Sequence, residues 1–169
     1  MDIIDNAWLV PLSRGGIYKI VFCDNEIKII RIFSGEYVQE KIKFKNDLKY
    51  IDSINVPGAT DPIEPEELYN NIKDTINYIT DEYYKEEKIK SESSNDIKII
   101  KYNDIDNIEL KTGNSRELPE LIINDNKFIL PHKNFDIKHE MDKDLYSKYN
   151  KMIKKYINKK YIIFVLNLH

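Results

Sequence analysis

The stretch Ile17-Tyr18-Lys19-Ile20-Val21-Phe22-Cys23, the pair Asp24-Asn25 and the stretch Ile27 to Phe33 constrain the fold more than anything else in the chain. β-Branched and aromatic residues suit a pleated, half-buried surface, and an Asp-Asn pair between two such runs supplies the turn of an antiparallel hairpin. Two strands alone are marginal in water, so a hairpin implies further strands or a helix laid against it. The rest of the chain offers both. Trp8-Leu9-Val10 reads as an earlier strand, and Gly15-Gly16 as the turn into Ile17. Tyr37 to Phe44 alternates Val38, Ile42 and Phe44 with Tyr37, Gln39, Lys41 and Lys43, which predicts a further strand, a short helix being the close alternative. Residues 7–55 are thus expected to be strand-rich.

A helix is predicted over 62–88. Asp61 caps it, Pro62 takes the first helical position and Glu64 completes a capping box; Tyr69, Ile72, Ile76, Ile79 and Tyr83 then repeat at helical spacing. The stripe lasts about two heptads, too short for a coiled coil, so it is expected to pack on the domain's own sheet rather than seam a dimer. Antiparallel strands follow over 97–131, with turns at Asn103-Asp104, Thr112-Gly113-Asn114 and Asn124-Asp125-Asn126. Asp142 caps a second helix over 143–158, with Leu145, Tyr149, Met152, Ile153 and Tyr156 on one face, and a terminal strand spans 160–167. The expected class is α+β: one domain over 1–169, mainly an antiparallel sheet or small barrel, with two amphipathic helices.

Composition narrows the function classes. Hydrophobic residues at 41% and charged residues at 33% suit a soluble globule. A net charge of -3 gives no general attraction for nucleic acid. Asp2 and Asp5 stand where a signal peptide needs basic residues, and the longest apolar run, Tyr161 to Leu166, is far below the ~20 residues of a membrane span. A cytoplasmic location is expected. Cys23, the single cysteine, lies in an apolar run and is expected to be a buried, inert thiol. His132, His139 and His169 lack metal-ligand spacing, so no cofactor is expected.

Two sets of residues carry candidate chemistry. Asp96 followed by Glu109-Leu110-Lys111 is the residue pattern by which PD-(D/E)xK nucleases hold Mg²⁺ or Mn²⁺ and orient water with the lysine, although the Pro-Asp dipeptide is absent. With a two-residue turn at Asn103-Asp104, Asp96 would face Lys111 and Lys98 would face Glu109 on one hairpin face, leaving Ile97, Ile99, Ile108 and Leu110 on the core side. The alternative reading of that quartet is a solvent-facing sheet surface with two ion pairs. The second set is electrostatic. Asp61 to Lys88 carries nine acidic residues against three lysines, and Lys143 to Lys160 carries seven lysines against one aspartate. Lys148, Lys151, Lys154 and Lys155 would form a basic face that is solvated or internally paired, or that meets an acidic protein partner, with nucleic acid or phospholipid ranked behind.

Residues 97–111, with Tyr102-Asn103-Asp104-Ile105 at their centre, followed by Leu121-Ile122-Ile123-Asn124-Asp125-Asn126-Lys127-Phe128-Ile129-Leu130 and the helix from Lys143, resemble the latter part of a pleckstrin-homology-like domain over about 97–158. In that family a strand leads into Tyr-x-Asp-Ile, a short strand, a hairpin and a capping helix. The resemblance implies a small barrel that binds proteins or lipid head groups without catalysis. The expected function is a non-catalytic module holding a protein partner, or a second copy, through charged helices or a sheet edge. A metal-dependent nuclease using Asp96, Glu109 and Lys111 is the alternative.

Overall fold

The computed structural model describes residues 1–11, 15–41, 77–85, 96–113, 118–131, 141, 143–157 and 162–165. Strands β1 (Asp2–Leu9), β2 (Gly16–Phe22) and β3 (Glu26–Phe33) form an antiparallel meander, as the β-branched runs require. Helix α1 (Gly35–Lys41) follows, then a second helix, α2, described over residues 77–85. Strand β4 (Ile97–Lys101), a 3-10 turn over Tyr102–Asp104, and strands β5 (Ile108–Lys111), β6 (Glu120–Ile123) and β7 (Asn126–Ile129) come next. Helix α3 (Lys143–Tyr156) and strand β8 (Ile162–Val165) close the order. The class is α+β.

The eight strands make one sheet in the order β4-β3-β2-β1-β7-β6-β5-β8. Every neighbouring pair is antiparallel except β5 with β8, which is parallel. β1 pairs on one side with β2 and on the other with β7, so it splices the two meanders, and the sheet ends at β4 and β8. A bulge makes that splice two-sided. The register of β1 against β2 shifts between Ile4 and Ala7, where Asn6 takes a left-handed φ of 54°. The shift inverts the alternation, so Ile4 and Ala7 share one face while Trp8 turns to the other.

Each face accordingly carries its own core. On the first, Ile4, Ile20, Phe22, Ile27, Ile29, Ile108, Leu110, Leu121 and Phe128 pack against Met152, Ile153 and Ile157 of the α3 segment. On the second, Trp8, Ile17, Phe33 and Ile129 pack against Val38 of α1 and Ile79 and Tyr83 of α2. A buried polar link fixes α2 to the sheet: Asn6 Nδ2 donates to Thr80 Oγ1 at 3.1 Å, and Trp8 Nε1 donates to Asn6 Oδ1 at 2.7 Å.

Several expectations hold. The Ile17–Phe33 hairpin forms, with Cys23 N donating to Glu26 O at 2.9 Å across its turn. Asn124 occupies the β6–β7 turn with φ 51°, a conformation asparagine tolerates, and its Oδ1 accepts from Asp106 N at 2.9 Å. Gly16 has φ 98°, and a Cβ there would run into the Phe33 carbonyl oxygen, so the turn before β2 requires glycine. Ile79 and Tyr83 pack on the domain's own sheet, while residues 62–76 and 86–88 of the predicted helix, with the Asp61 cap, lie outside the described residues. Asp142, predicted to cap α3, also lies outside them.

Others are corrected. β1 starts at Asp2, earlier than the predicted Trp8. The strand predicted over Tyr37 to Phe44 is helix as far as Lys41, residues 42–44 lying outside the described ones, because Ser34 caps it: its Oγ accepts from Tyr37 N at 3.2 Å and its carbonyl from Val38 N at 3.1 Å. The hairpin predicted across Asn103-Asp104 does not form. Those residues make a 3-10 turn, β4 pairs with β3, and β5 pairs with β6 and β8. Cys23, just past the end of β2, is only partly buried.

Candidate functional site

The missing hairpin separates the proposed metal ligands. Asp96, at the entry to β4, pairs with Arg31 of β3. Glu109 lies on β5 between Ile122 of β6 and Ile163 of β8 in the register. Lys111 Nζ sits 3.4 Å from Glu120 Oε2 on the neighbouring strand. Asp96 and Glu109 therefore stand on strands that are not neighbours, and the cross-strand pairs expected of the quartet are replaced by Asp96 with Arg31 and Lys111 with Glu120. Among the described residues no group of three or more His, Cys, Asp or Glu side chains could hold a metal ion. His132, His139 and His169 lie outside those residues.

The basic face of α3 is exposed at Lys148, Lys151, Lys154 and Lys155, opposite the face that buries Met152 and Ile153. Lys155 is committed within the chain: its Nζ donates to Asp2 Oδ2 at 2.9 Å, and Tyr156 OH donates to the same oxygen at 2.7 Å. Tyr156 also stacks on Tyr102, whose hydroxyl donates to the Cys23 carbonyl at 2.5 Å, so the end of α3 is tied to both β1 and the β2–β3 turn.

The hydrogen bond from Lys155, and then that from Tyr156, hold the Asp2 carboxyl below its ordinary 3.8. A carboxyl whose folded pKa is depressed contributes stability above its unfolded pKa and loses it as pH falls through the folded one. Asp2→Asn is therefore expected to be less stable than wild type at about pH 7, by a gap that narrows as pH falls below the ordinary 3.8, read from urea unfolding across that range. A gap that stays the same in acid would refute the carboxylate's role.

The sheet edge presents a different surface. On β4 only Ile100 is buried; Ile97 is 46% exposed and Ile99 54% exposed. This reverses the expectation that Ile97 and Ile99 face the core. The run Ile-Lys-Ile-Ile-Lys offers either parity to a core, and pairing with β3 selects Ile100, opposite Ile27, for the buried face. Ile97 and Ile99 instead lie beside Ile30 and Lys28 on the other face of the sheet. Backbone groups join them. Arg31 N donates to Asp96 O at 3.1 Å and Tyr102 N to Asn25 O at 3.5 Å, which fixes the hydrogen-bonded pairs of the ladder on even-numbered residues of β4. The amides and carbonyls of residues 97, 99 and 101 consequently point away from β3, along the edge where the sheet ends.

No known family model, curated protein or solved structure matches the chain.

The signal for this edge was present in the sequence as two isoleucines alternating with lysine, a pattern in which one face of a strand is apolar whether or not the fold covers it. Nothing local says which face is covered, because the deciding partner, β3, is about 70 residues away in the chain.

Proposed function

We propose that the chain is a non-catalytic protein-interaction module that holds its partner along the β4 edge of the sheet. The observation that carries this is the pair Ile97 and Ile99, half exposed on a strand whose outer backbone groups have no neighbouring strand among the described residues. Such an edge is a template for strand addition, and covering the exposed half of each isoleucine is worth about 1 kcal/mol. The pleckstrin-homology-like reading is supported by the run from β4 through Tyr102–Asp104, β5 and the β6–β7 hairpin to α3. The β1–β7 splice supports it further, since two meanders joined through β1 and β7 and open between β4 and β8 suit a small, partly open barrel. The absence of a long apolar helix among the described residues and the free Cys23 suit a reducing cytoplasm.

Two measurements decide between this reading and the nuclease. Immobilised protein should retain a cellular partner that Ile97→Asp/Ile99→Asp loses, and the amides of 97, 99 and 101 should exchange more slowly in the complex. Labelled DNA and RNA incubated with Mn²⁺ should stay intact. Metal-dependent cleavage by wild type, abolished in a folded Glu109→Gln, would replace the interaction module with an enzyme.

A further inference from the structure

We infer that the β4 edge takes an extended acidic segment of another protein as an added antiparallel strand. This rests on the edge-binding reading above and adds the chemistry of the partner. The edge is positively charged in a particular way. Of the four cations on β3 and β4, Lys28 has Glu26 at 3.6 Å and Arg31 has Asp96, so both are answered within the sheet. Among the described residues no carboxylate lies within 4 Å of Lys98 or Lys101: Glu26, the register partner of Lys101, is taken by Lys28, and Lys98 makes one 3.5 Å contact with the Asn126 side-chain oxygen. Both are exposed and both stand on the terminal strand. Ile97, Ile99 and Lys101 project from one face of that strand and Lys98 and Ile100 from the other, following the pleat.

A strand laid antiparallel on this edge thus meets an ordered pattern. Apolar residues belong opposite Ile97, Ile99 and Ile100, and carboxylates opposite Lys98 and Lys101. Read from its own N-terminus, the complementary segment is Glu-Val-Val-Glu-Val, or its aspartate and isoleucine equivalents. The isoleucines and the open amides supply adhesion, and the lysines select sign.

The same lysines argue against a second copy of this chain in the registers centred on residues 98 to 100. Two β4 strands paired about a two-fold axis at Ile99 would set Lys98 diagonal to its own counterpart on one face. Shifting the axis to residue 98 sets Lys98 directly opposite Lys98, and shifting it to residue 100 sets Lys101 diagonal to Lys101. Like charges directly opposite or diagonal across a strand pair oppose pairing.

The test uses the whole chain and labelled synthetic peptides carrying Glu-Val-Val-Glu-Val, its glutamine form and its lysine form between serine ends, followed by fluorescence polarisation and by amide exchange. The glutamate peptide should bind at least about tenfold tighter than the lysine peptide, lose affinity with added salt, and slow exchange at residues 97, 99 and 101. Lys98→Glu/Lys101→Glu, two surface changes, should reverse the order of the peptides. If the glutamine peptide binds as well as the glutamate one, the charge inference falls and edge binding survives. If no peptide slows exchange at those amides, edge binding falls too, and Lys98 and Lys101 are guards that keep the edge unpaired. A doubled mass in light scattering without peptide would make a second copy the occupant and overturn the proposal.

Discussion

Trp8→Ala is expected to lower the unfolding free energy by about 3–5 kcal/mol, enough to leave a domain of ordinary stability largely or wholly unfolded. Trp8 has no solvent exposure and is among the largest fully buried side chains of the described residues. It also joins two layers. Ile17 and Ile129 flank it from the neighbouring strands, while Val38, Ile79 and Tyr83 close over the same cluster from α1 and α2. Truncation therefore opens a cavity at the one place where sheet and both helices meet, and strips Asn6 Oδ1 of its donor. Trp8→Phe should fill much of the space yet leave that oxygen unanswered, at a cost of about 1–3 kcal/mol. Because Trp8 is the only tryptophan, wild-type unfolding can be followed by its fluorescence, but the comparison needs urea titration by circular dichroism. A loss below about 1 kcal/mol in Trp8→Ala would mean that the second core does not hold the helices to the sheet.

Asn6 shows what local sequence reading misses. Asparagine is depleted in strands, so its place between Ile4 and Trp8 was a visible irregularity, yet only the register against β2 reveals that it inverts the alternation and sends Trp8 to the face covered by α1 and α2. Elements whose turn chemistry is local were readable: the Asp24-Asn25 hairpin, the Asn124 turn and the amphipathic α3 all formed where their residues put them. Ser34 was an equally local signal, an N-cap three residues before Tyr37, and it outweighed the two-residue alternation of a segment too short to establish a period. Strand partners were not readable. β4 and β5 are joined by a turn short enough for a hairpin, and the Tyr102–Asp104 3-10 turn instead sends β4 back to β3 and β5 to β6. That one choice dissolved the expected charged quartet and put Ile97 and Ile99 on the surface. The terminal strand was legible as a strand, but its parallel seat beside β5 depends on where α3 delivers it.

Lys111, the residue that would orient water in the nuclease alternative, is expected to contribute to stability. Its ammonium lies 3.4 Å from the Glu120 carboxylate, and the two side chains are 27% and 5% exposed. Removing one partner of an ion pair costs about 3–5 kcal/mol when both are fully buried. Lys111 keeps a quarter of its surface in water, so Lys111→Met should cost less, about 2–3 kcal/mol, the lysine stem's packing being retained by methionine. Glu120→Gln in the Lys111→Met background removes the charge that Lys111 faced and should recover part of that loss, an interaction that a double-mutant cycle by urea unfolding measures directly. A purely chemical lysine predicts the opposite pattern: Lys111→Met as stable as wild type, with no recovery on changing Glu120. Recovery would show that the Glu-x-Lys spacing on β5 serves the β5–β6 pair, because Lys111 and Glu120 are register partners there and both must face the same side of the sheet.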